Sequence, residues 1–413
     1  MSIGEVLRQR RKQCNLTVTA TADLVAVPRS YLSMMEAGKR TPSPQVLVRL
    51  ANVLGVPSDV WVPILIAGER HCQRLVDLAG LLYQEHDYTP ARRVLGCALA
   101  ISRREHHGRY NGEIYHLLGS VCAGQGQYTK AVLWFRLFER AVAHGANLDL
   151  QAIAKYNVGL TLAKLGRRVD AVKKLDEAAA AFARLHLQEE TGRAMLHKAD
   201  VLLAMRHYPQ AGMAYSRSAH LLRRTSLHSE ALLGIGIATW RLRGPAVALP
   251  LLSKIAKTPT ASEVVSVKAR AGMASALREL GRYGDALHEA EAGLEARERI
   301  PTDLVSALLT EQALSNSLQG DMPAARRAHE AFCCLEGAKD GQDLAAMHIL
   351  ASALGVAHPA DTMPAVVEDA HEMRIAAALE VMAVVPSLTT QHSDPMGDKL
   401  VDRPWRGRNG HVE

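Results

Sequence analysis

Four stretches with the same arrangement of residues decide the fold: 124–135 (GQGQYTKAVLWF), 163–175 (AKLGRRVDAVKKL), 204–215 (AMRHYPQAGMAY) and 278–290 (RELGRYGDALHEA). Each contains a small residue, then an aromatic or polar turn position, and an alanine three residues later. With that alanine as anchor, the sequence contains seven copies at steps of 40, 40, 40, 37, 38 and 39 residues. The anchors are Ala91, Ala131, Ala171, Ala211, Ala248, Ala286 and Ala325. A period of this length indicates stacked structural repeats.

A small residue also recurs twelve positions before each anchor, where the two helices of a hairpin must approach closely. These residues are Ala79, Gly119, Gly159, Ala199, Gly236, Ala274 and Ala313. The pattern resembles the tetratricopeptide repeat, with longer connections between hairpins. The resemblance implies a right-handed α-solenoid whose concave surface is formed by the first helix of each hairpin. The copy around residues 243–245 is the least regular.

Composition agrees with an all-α chain. A chain of 413 residues is too long to fold around one small hydrophobic core. Its content of 48% hydrophobic and 22% charged residues is typical of globular proteins. Only 4% of residues are aromatic, and long stretches rich in alanine, leucine, arginine and glutamate favour helices over a sandwich or barrel. No apolar run reaches the ~18 residues of a membrane helix, and the first residues are charged. We therefore expect a cytoplasmic protein without a membrane partner.

The net charge of +7 is concentrated in one region. Residues 1–57 contain eight bases and three acids, whereas the other 356 residues contain 41 bases and 39 acids. A basic head on a nearly neutral body indicates contact with a polyanion.

The head has the signals of four helices, predicted over residues 2–13, 17–25, 29–37 and 44–54. Thr17 and Ser43 are suited to cap the second and fourth helices at their N-termini. Gly38 and Gly55 are suited to the left-handed conformation that ends a helix. The sequence therefore predicts a small helical bundle.

Residues 7–17 (LRQRRKQCNLT) and 24–57 (LVAVPRSYLSMMEAGKRTPSPQVLVRLANVLGVP) resemble the helix-turn-helix domain of the phage repressor family, the Cro/C1-type or XRE family. The resemblance implies that the third helix enters the major groove of DNA. The implied base-facing residues are Arg29, Ser30, Ser33 and Met34, and the implied phosphate-binding residues are Thr17, Lys39, Arg40 and Thr41. Arg29 can bond both N7 and O6 of guanine.

The resemblance also implies a buried ion pair between Arg11 and Glu36, with a structural role. Three positions depart from the family pattern. Val18 stands where a glutamine often supports the reading helix, Thr21 replaces a core leucine, and Ala26 replaces the turn glycine.

Helical spacing places residues 18, 15, 14, 11, 8 and 7 before each anchor on one stripe of the first helix. This stripe is polar and mixed, which suits an extended peptide whose amides need donors and acceptors. The candidate peptide-binding residues are Gln73, Asp77, Glu113, His116, Tyr156, Asn157, Arg193, His197, Asp200, Trp240, Arg241, Lys268 and Arg278. Asn157 falls where tetratricopeptide grooves commonly place an asparagine against a peptide backbone. Arg193, Arg241 or Lys268 is suited to bind a terminal carboxylate or an acidic side chain.

The combination of head and repeats resembles the peptide-pheromone-sensing transcription regulators of Gram-positive bacteria. It implies a homodimer that binds double-stranded DNA, with a short signalling peptide or a protein partner in the repeat groove. Two alternatives stay open: a DNA-binding regulator whose repeats serve only protein–protein interaction or dimerisation, and an adaptor that does not bind DNA.

No motif indicates an enzyme, because HExxH, GxSxG and Walker sequences are missing. The six cysteines show no zinc spacing, so we interpret them as reduced thiols and expect no metal or cofactor.

The predicted organisation has four parts. Residues 1–57 form the DNA-binding domain and 58–72 a connector. Residues 73–385 form about seven repeats with a capping hairpin, and 386–413 a disordered tail.

Overall fold

The computed structural model describes residues 3–40, 42–55, 71–105 and 110–335, together with residues 347 and 350. Within these ranges the chain forms eighteen α-helices and no strand. The predicted all-α fold class is confirmed. Most of the predicted connector, the capping hairpin apart from residues 347 and 350, and the tail lie outside the described residues.

The head consists of four helices: α1 (Ile3–Gln13), α2 (Val18–Val25), α3 (Arg29–Glu36) and α4 (Pro44–Leu54). The predicted caps are present. Thr17 Oγ1 accepts a hydrogen bond from the Ala20 amide, and Ser43 Oγ accepts one from the Val46 amide. Gly55 ends α4 in the left-handed conformation, with φ of 59°. Local capping chemistry therefore sets the N-terminal bounds of α2 and α4 and the C-terminal bound of α4.

Fourteen further helices follow in seven consecutive pairs, as the anchors predict, and the pairs that lie within one compact unit pack as hairpins. The first helices are α5 (His71–Gln84), α7 (Asn111–Gly124), α9 (Leu148–Lys164), α11 (Gln188–Ala204), α13 (His228–Arg243), α15 (Glu263–Glu279) and α17 (Thr302–Gln319). The second helices are α6 (Tyr88–Glu105), α8 (Tyr128–Val142), α10 (Arg168–Arg184), α12 (Tyr208–Leu221), α14 (Pro245–Ala256), α16 (Tyr283–Leu294) and α18 (Met322–Cys333).

The chain divides into two compact units. Unit 1 contains the described residues up to Thr161, and unit 2 contains those from Leu162 on. In unit 1, α4 of the head packs against α5, and α5 packs against α7. In unit 2, the first helices α11, α13, α15 and α17 pack side by side. Polar residues on neighbouring first helices of one unit therefore share a surface.

The anchor alanines and the small residues before them form the hairpin interiors. Each of the seven anchors is 0% exposed. A Cβ on Gly119 would lie 2.6 Å from the Phe135 ring, and one on Gly236 would lie 2.9 Å from Leu252. Side chains of the second helices thus pack onto the backbone of the first, which explains the small residue at this position.

The turn inside a hairpin commonly uses a left-handed residue five positions before the anchor. These residues are His86, Gly126, Gly166, Arg206, Gly281 and Gly320. The fifth hairpin differs, because the only residue between α13 and α14 is Gly244, with φ of 89°, and Pro245 begins α14. This shortened turn accounts for the irregular copy in the sequence.

Candidate nucleic-acid interface and ligand-binding surfaces

Helix α3 has one buried and one exposed face. Leu32 and Met35 are buried in the head, at 1% and 0% exposure. Arg29, Ser30 and Ser33 are exposed on the other face. Met34, also predicted to face bases, is 36% exposed. The structure therefore brings the four predicted base-facing residues to solvent on one short helix.

The predicted ion pair between Arg11 and Glu36 joins α1 to the last turn of α3. Arg11 Nε and Nη2 donate to the two carboxylate oxygens of Glu36 at 2.6 and 2.9 Å, and Nη1 donates to the Leu16 carbonyl at 2.8 Å. The hydrogen bond to Glu36 is the main cause that raises the pKa of Arg11. This bidentate pair fixes the position of α3 relative to α1.

Helix α2 and the turn after it accommodate two of the three departures from the family pattern. Ala26 adopts the left-handed conformation, with φ of 54° and ψ of 52°. Thr21 is fully buried, and its hydroxyl donates to the Thr17 carbonyl at 2.9 Å. The turn keeps its geometry without glycine, at the cost of a conformation that alanine disfavours.

The predicted phosphate-binding residues lie at the start of α2 and in the loop after α3. Thr17, Lys39 and Arg40 are exposed, and Thr41 lies outside the described residues. The Arg40 guanidinium lies 4.7 Å from the centre of the Tyr31 ring. Sequence reasoning missed this cation–π contact, because only the fold brings Tyr31 of α3 close to an arginine in the following loop.

In unit 1, three candidate peptide-binding residues meet between α5 and α7. Gln73 Nε2 donates to Asp77 Oδ1 at 3.0 Å. Burial and the nearby charge of Asp77 raise the pKa of Glu113 to about 7, and a hydrogen bond from Gln73 opposes the shift. This cluster is a small acidic surface.

Of the other candidates of unit 1, His116 is partly buried, and Tyr156 and Asn157 are buried. His116 packs against Phe135 and Phe138, with ring centres 6.2 and 5.1 Å away, and burial lowers its pKa to about 4. Tyr156 is 1% exposed. Asn157 is 0% exposed, and neither Oδ1 nor Nδ2 has a hydrogen-bond partner among the described residues. An unsatisfied buried amide costs about 1–3 kcal/mol, so Asn157 needs an explanation.

In unit 2, the candidates on α11 have intramolecular partners. Arg193 Nη2 donates to Glu189 Oε1 at 2.8 Å. His197 Nδ1 lies 3.5 Å from Asp200 Oδ2, and Asp200 Oδ1 accepts from the Tyr215 hydroxyl at 2.7 Å. Burial and then Asp200 raise the pKa of Tyr215, so this hydroxyl stays protonated. These contacts orient the α11 side chains.

The candidates on α13 and α15 differ in exposure. Trp240 is 3% exposed, and its indole N–H donates to Glu279 Oε2 at 2.9 Å. Arg241 and Lys268 are partly buried. Arg278 lies inside unit 2, where its Nε and Nη2 donate to the Glu311 carboxylate at 2.7 and 3.3 Å. This pair is 1% and 0% exposed, so we leave Arg278 out of any ligand-binding surface.

In the described part of the chain, no helix has the length and apolar character required to cross a membrane.

Comparison with known proteins agrees with this architecture. Residues 7–61 match the Helix-turn-helix family model. No curated protein matches the chain. The apo form of RapI matches with a TM-score of 0.53 and 14% identity, over 76% of this chain and 86% of that one. A tetratricopeptide repeat protein from Parabacteroides merdae ATCC 43184 matches with a TM-score of 0.52 and 13% identity, over 68% and 98%.

A third solved structure overlaps less well. Bacillus thuringiensis PlcR in complex with the peptide PapR7 and DNA has a TM-score of 0.36 and 14% identity, over 62% of this chain and 92% of that one. At these identities the matches concern the fold alone. The predicted resemblance, a helix-turn-helix head followed by tetratricopeptide-like repeats, is confirmed.

Proposed function

We propose that this chain is a sequence-specific DNA-binding transcription regulator. The observation that carries the proposal is the solvent-exposed face of α3, with Arg29, Ser30 and Ser33 on a helix held by the Arg11–Glu36 pair. A helix with a short exposed polar face fits the major groove, where side chains read base edges. Lys39 and Arg40 lie in the loop after α3, within the basic head, and supply phosphate contacts.

The test compares a base-reading variant with a phosphate-binding variant on duplexes selected by the protein from random sequences. Arg29→Ala should weaken binding to the preferred duplex by about 1–3 kcal/mol and relax the base preference at one position of the site. Lys39→Ala should weaken binding to all duplexes alike. Arg282→Ala, which replaces an exposed residue of unit 2, should leave binding to every duplex unchanged. Equal effects of Arg29→Ala and Lys39→Ala on every sequence would contradict the assignment.

The second part of the proposal concerns the repeats, which we infer bind a short extended peptide. Support comes from the Asn157 side chain, whose donor and acceptor are both unpaired among the described residues. A peptide unit offers one C=O and one N–H, which are the groups that this amide lacks. Satisfying both would relieve the cost of the buried amide.

Calorimetry with peptides encoded beside the gene tests this inference. Asn157→Ala and Arg193→Ala are the variants of choice, and Arg282→Ala is the surface control. We expect Asn157→Ala to weaken the free energy of peptide binding by an amount typical of a buried polar contact, about 1–3 kcal/mol. Unchanged binding in Asn157→Ala would rule out the peptide contact in unit 1, and unchanged binding in Arg193→Ala would rule out one in unit 2.

The third part is a homodimer whose arrangement changes when the peptide binds. Two heads that read half-sites about 34 Å apart add their contacts to DNA. A peptide that prefers one arrangement shifts DNA affinity, typically by 1–3 kcal/mol. Analytical ultracentrifugation of the full chain, with and without its operator, measures the oligomeric state; a monomer under both conditions would refute this part.

A further inference from the structure

The guanidinium of Arg241 has an unusual environment on α13. Its Cζ lies 4.8 Å from the centre of the Trp240 ring. Its Nε and Nη2 are both closed to solvent, and neither has a hydrogen-bond partner among the described residues. A charged group with two unsatisfied donors at this depth is costly to keep.

Nε and Nη2 are the two donors of one edge of an arginine, and this chain shows twice what that edge binds. In Arg11 the same two atoms donate to the two oxygens of Glu36 at 2.6 and 2.9 Å. In Arg278 they donate to the two oxygens of Glu311 at 2.7 and 3.3 Å. A planar carboxylate matches this edge bidentately.

Neighbouring arginines of unit 2 are already paired with acids of the chain. The pairs include Arg193 with Glu189, Arg270 with Glu289, and Arg282 with Asp285. Glu279, on the adjacent first helix α15, already accepts a hydrogen bond from the Trp240 indole through Oε2 at 2.9 Å. That hydrogen bond orients the ring that the Arg241 guanidinium contacts, so the position of the guanidinium is restricted before any ligand arrives.

We propose that the Nε/Nη2 edge of Arg241 binds a carboxylate of the ligand of unit 2. The inference rests on the proposed peptide function for the source of that carboxylate, which is either the C-terminus of the peptide or an acidic side chain. Because the edge is closed to solvent, the carboxylate enters as neighbouring side chains change rotamer. The stack on Trp240 limits how far the guanidinium moves meanwhile.

The first experiment needs no peptide. The full chain is titrated with N-acetylglycine, which mimics a peptide C-terminus, while the Nε–H resonance of Arg241 is followed by NMR and assigned by its loss in Arg241→Met. We expect a saturable shift with a dissociation constant on the order of millimolar, as suits so small a ligand. N-acetylglycinamide, which is neutral, should cause none. An equal shift with the amide, a stronger response to sulfate, or no saturation would overturn the proposal.

The second experiment identifies the source of the carboxylate. Pools of short peptides with free or amidated C-termini are selected on the wild type, Arg241→Met and Arg282→Met. Methionine keeps a flexible side chain over Trp240 but removes the charge. We expect Arg241→Met to bind the selected peptides about tenfold more weakly, corresponding to 1.4 kcal/mol. Loss of selection on amidation assigns the C-terminus, and enrichment of aspartate or glutamate in both pools assigns a side chain.

The outcomes separate this inference from the proposed function. Equal peptide binding by the wild type and Arg241→Met overturns the carboxylate site and leaves peptide binding in place. A saturable response to N-acetylglycine in a chain that selects no peptide supports the site and refutes the peptide proposal.

Discussion

Burial shifts the pKa values of Glu113 and His116 in opposite directions. The two residues lie three positions apart on α7. The pKa of Glu113 is raised to about 7 by desolvation and by the charge of Asp77. The pKa of His116 is lowered to about 4 by desolvation. In both cases the folded protein favours the neutral side chain. The two residues therefore make opposite contributions to the pH dependence of stability.

The sign of each contribution follows from proton counting. Between pH 4.5 and about 7 the folded state holds a proton on Glu113 that the unfolded state has lost, so Glu113 makes stability fall as pH rises. Between pH 4 and 6.5 the unfolded state holds a proton that His116 lacks when folded, so His116 makes stability rise with pH. Between pH 4.5 and 6.5 these two effects oppose each other.

Two substitutions separate the effects. Glu113→Gln should gain stability relative to the wild type as pH rises from 5 to 7.5, on the order of 2 kcal/mol. His116→Leu should gain relative to the wild type as pH falls from 6.5 to 4.5. Hydrogen-exchange opening free energies of α7 measure both differences. Parallel pH curves for Glu113→Gln and the wild type would refute the interpretation of Glu113.

Residue roles differ in how far sequence predicts them. The Arg11–Glu36 pair followed from a family resemblance, because the motif fixes both positions. The Arg278–Glu311 pair was not predicted, since it joins residues 33 apart on neighbouring first helices. The distance in sequence from the anchor alanines places both side chains on the predicted polar stripe. It does not indicate that the two side chains face each other inside the protein. Distances between hairpins decide such roles, and a period alone does not supply them.

At the level of elements, the turn between α2 and α3 contains a removable strain. Ala26 is exposed and left-handed, with φ of 54°. Ala26→Gly should stabilise the head by about 1 kcal/mol, because glycine adopts this conformation without steric cost. The matched control is Ala37→Gly, also exposed, at a residue with φ of −83°. Hydrogen exchange in α2 and α3 measures the effect, and equal protection in Ala26→Gly and the wild type would show that the turn is not strained.

The contact between α7 and α8 gives a prediction of opposite sign. A Cβ on Gly119 would lie 2.6 Å from the Phe135 ring, whereas nothing lies within 4 Å of one on Gly80 in α5. Gly119→Ala should destabilise unit 1 by about 1–3 kcal/mol through overpacking. Gly80→Ala should stabilise it by about 0.5–1 kcal/mol through helix propensity. Urea unfolding of both variants measures the difference, and a gain in Gly119→Ala would refute close packing at this hairpin.

Elements were largely predictable because their signals are local and repeated. The anchor period located the described hairpins, and the seven small residues indicated where paired helices approach. The left-handed positions at His86 and Arg206 were not predicted, since neither residue type signals the conformation. There the repeated packing of the hairpin imposes the turn on the residue that is present.

At the level of the whole molecule, charge separates the head from the repeats. Residues 1–57 hold a net charge of +5, while the remainder contains 41 bases and 39 acids. In the described repeats many charges are paired within the chain, as in Arg282 with Asp285 and Lys198 with Asp176. Paired charges release few counterions when a polyanion approaches. The salt dependence of DNA binding should therefore come from the head.

This expectation gives a quantitative test in the full chain. The slope of log affinity against log salt should fall by about 1 for Lys39→Ala and by about 1 for Arg40→Ala, because each removes one phosphate contact. Arg282→Ala should leave the slope unchanged. Fluorescence anisotropy between about 50 and 200 mM salt measures all three. If Arg282→Ala reduced the slope as much as Lys39→Ala did, the repeats would share the DNA contact, and the assignment of DNA binding to the head alone would fail. If no variant changed the slope, α3 and its following loop would not be the DNA-binding surface.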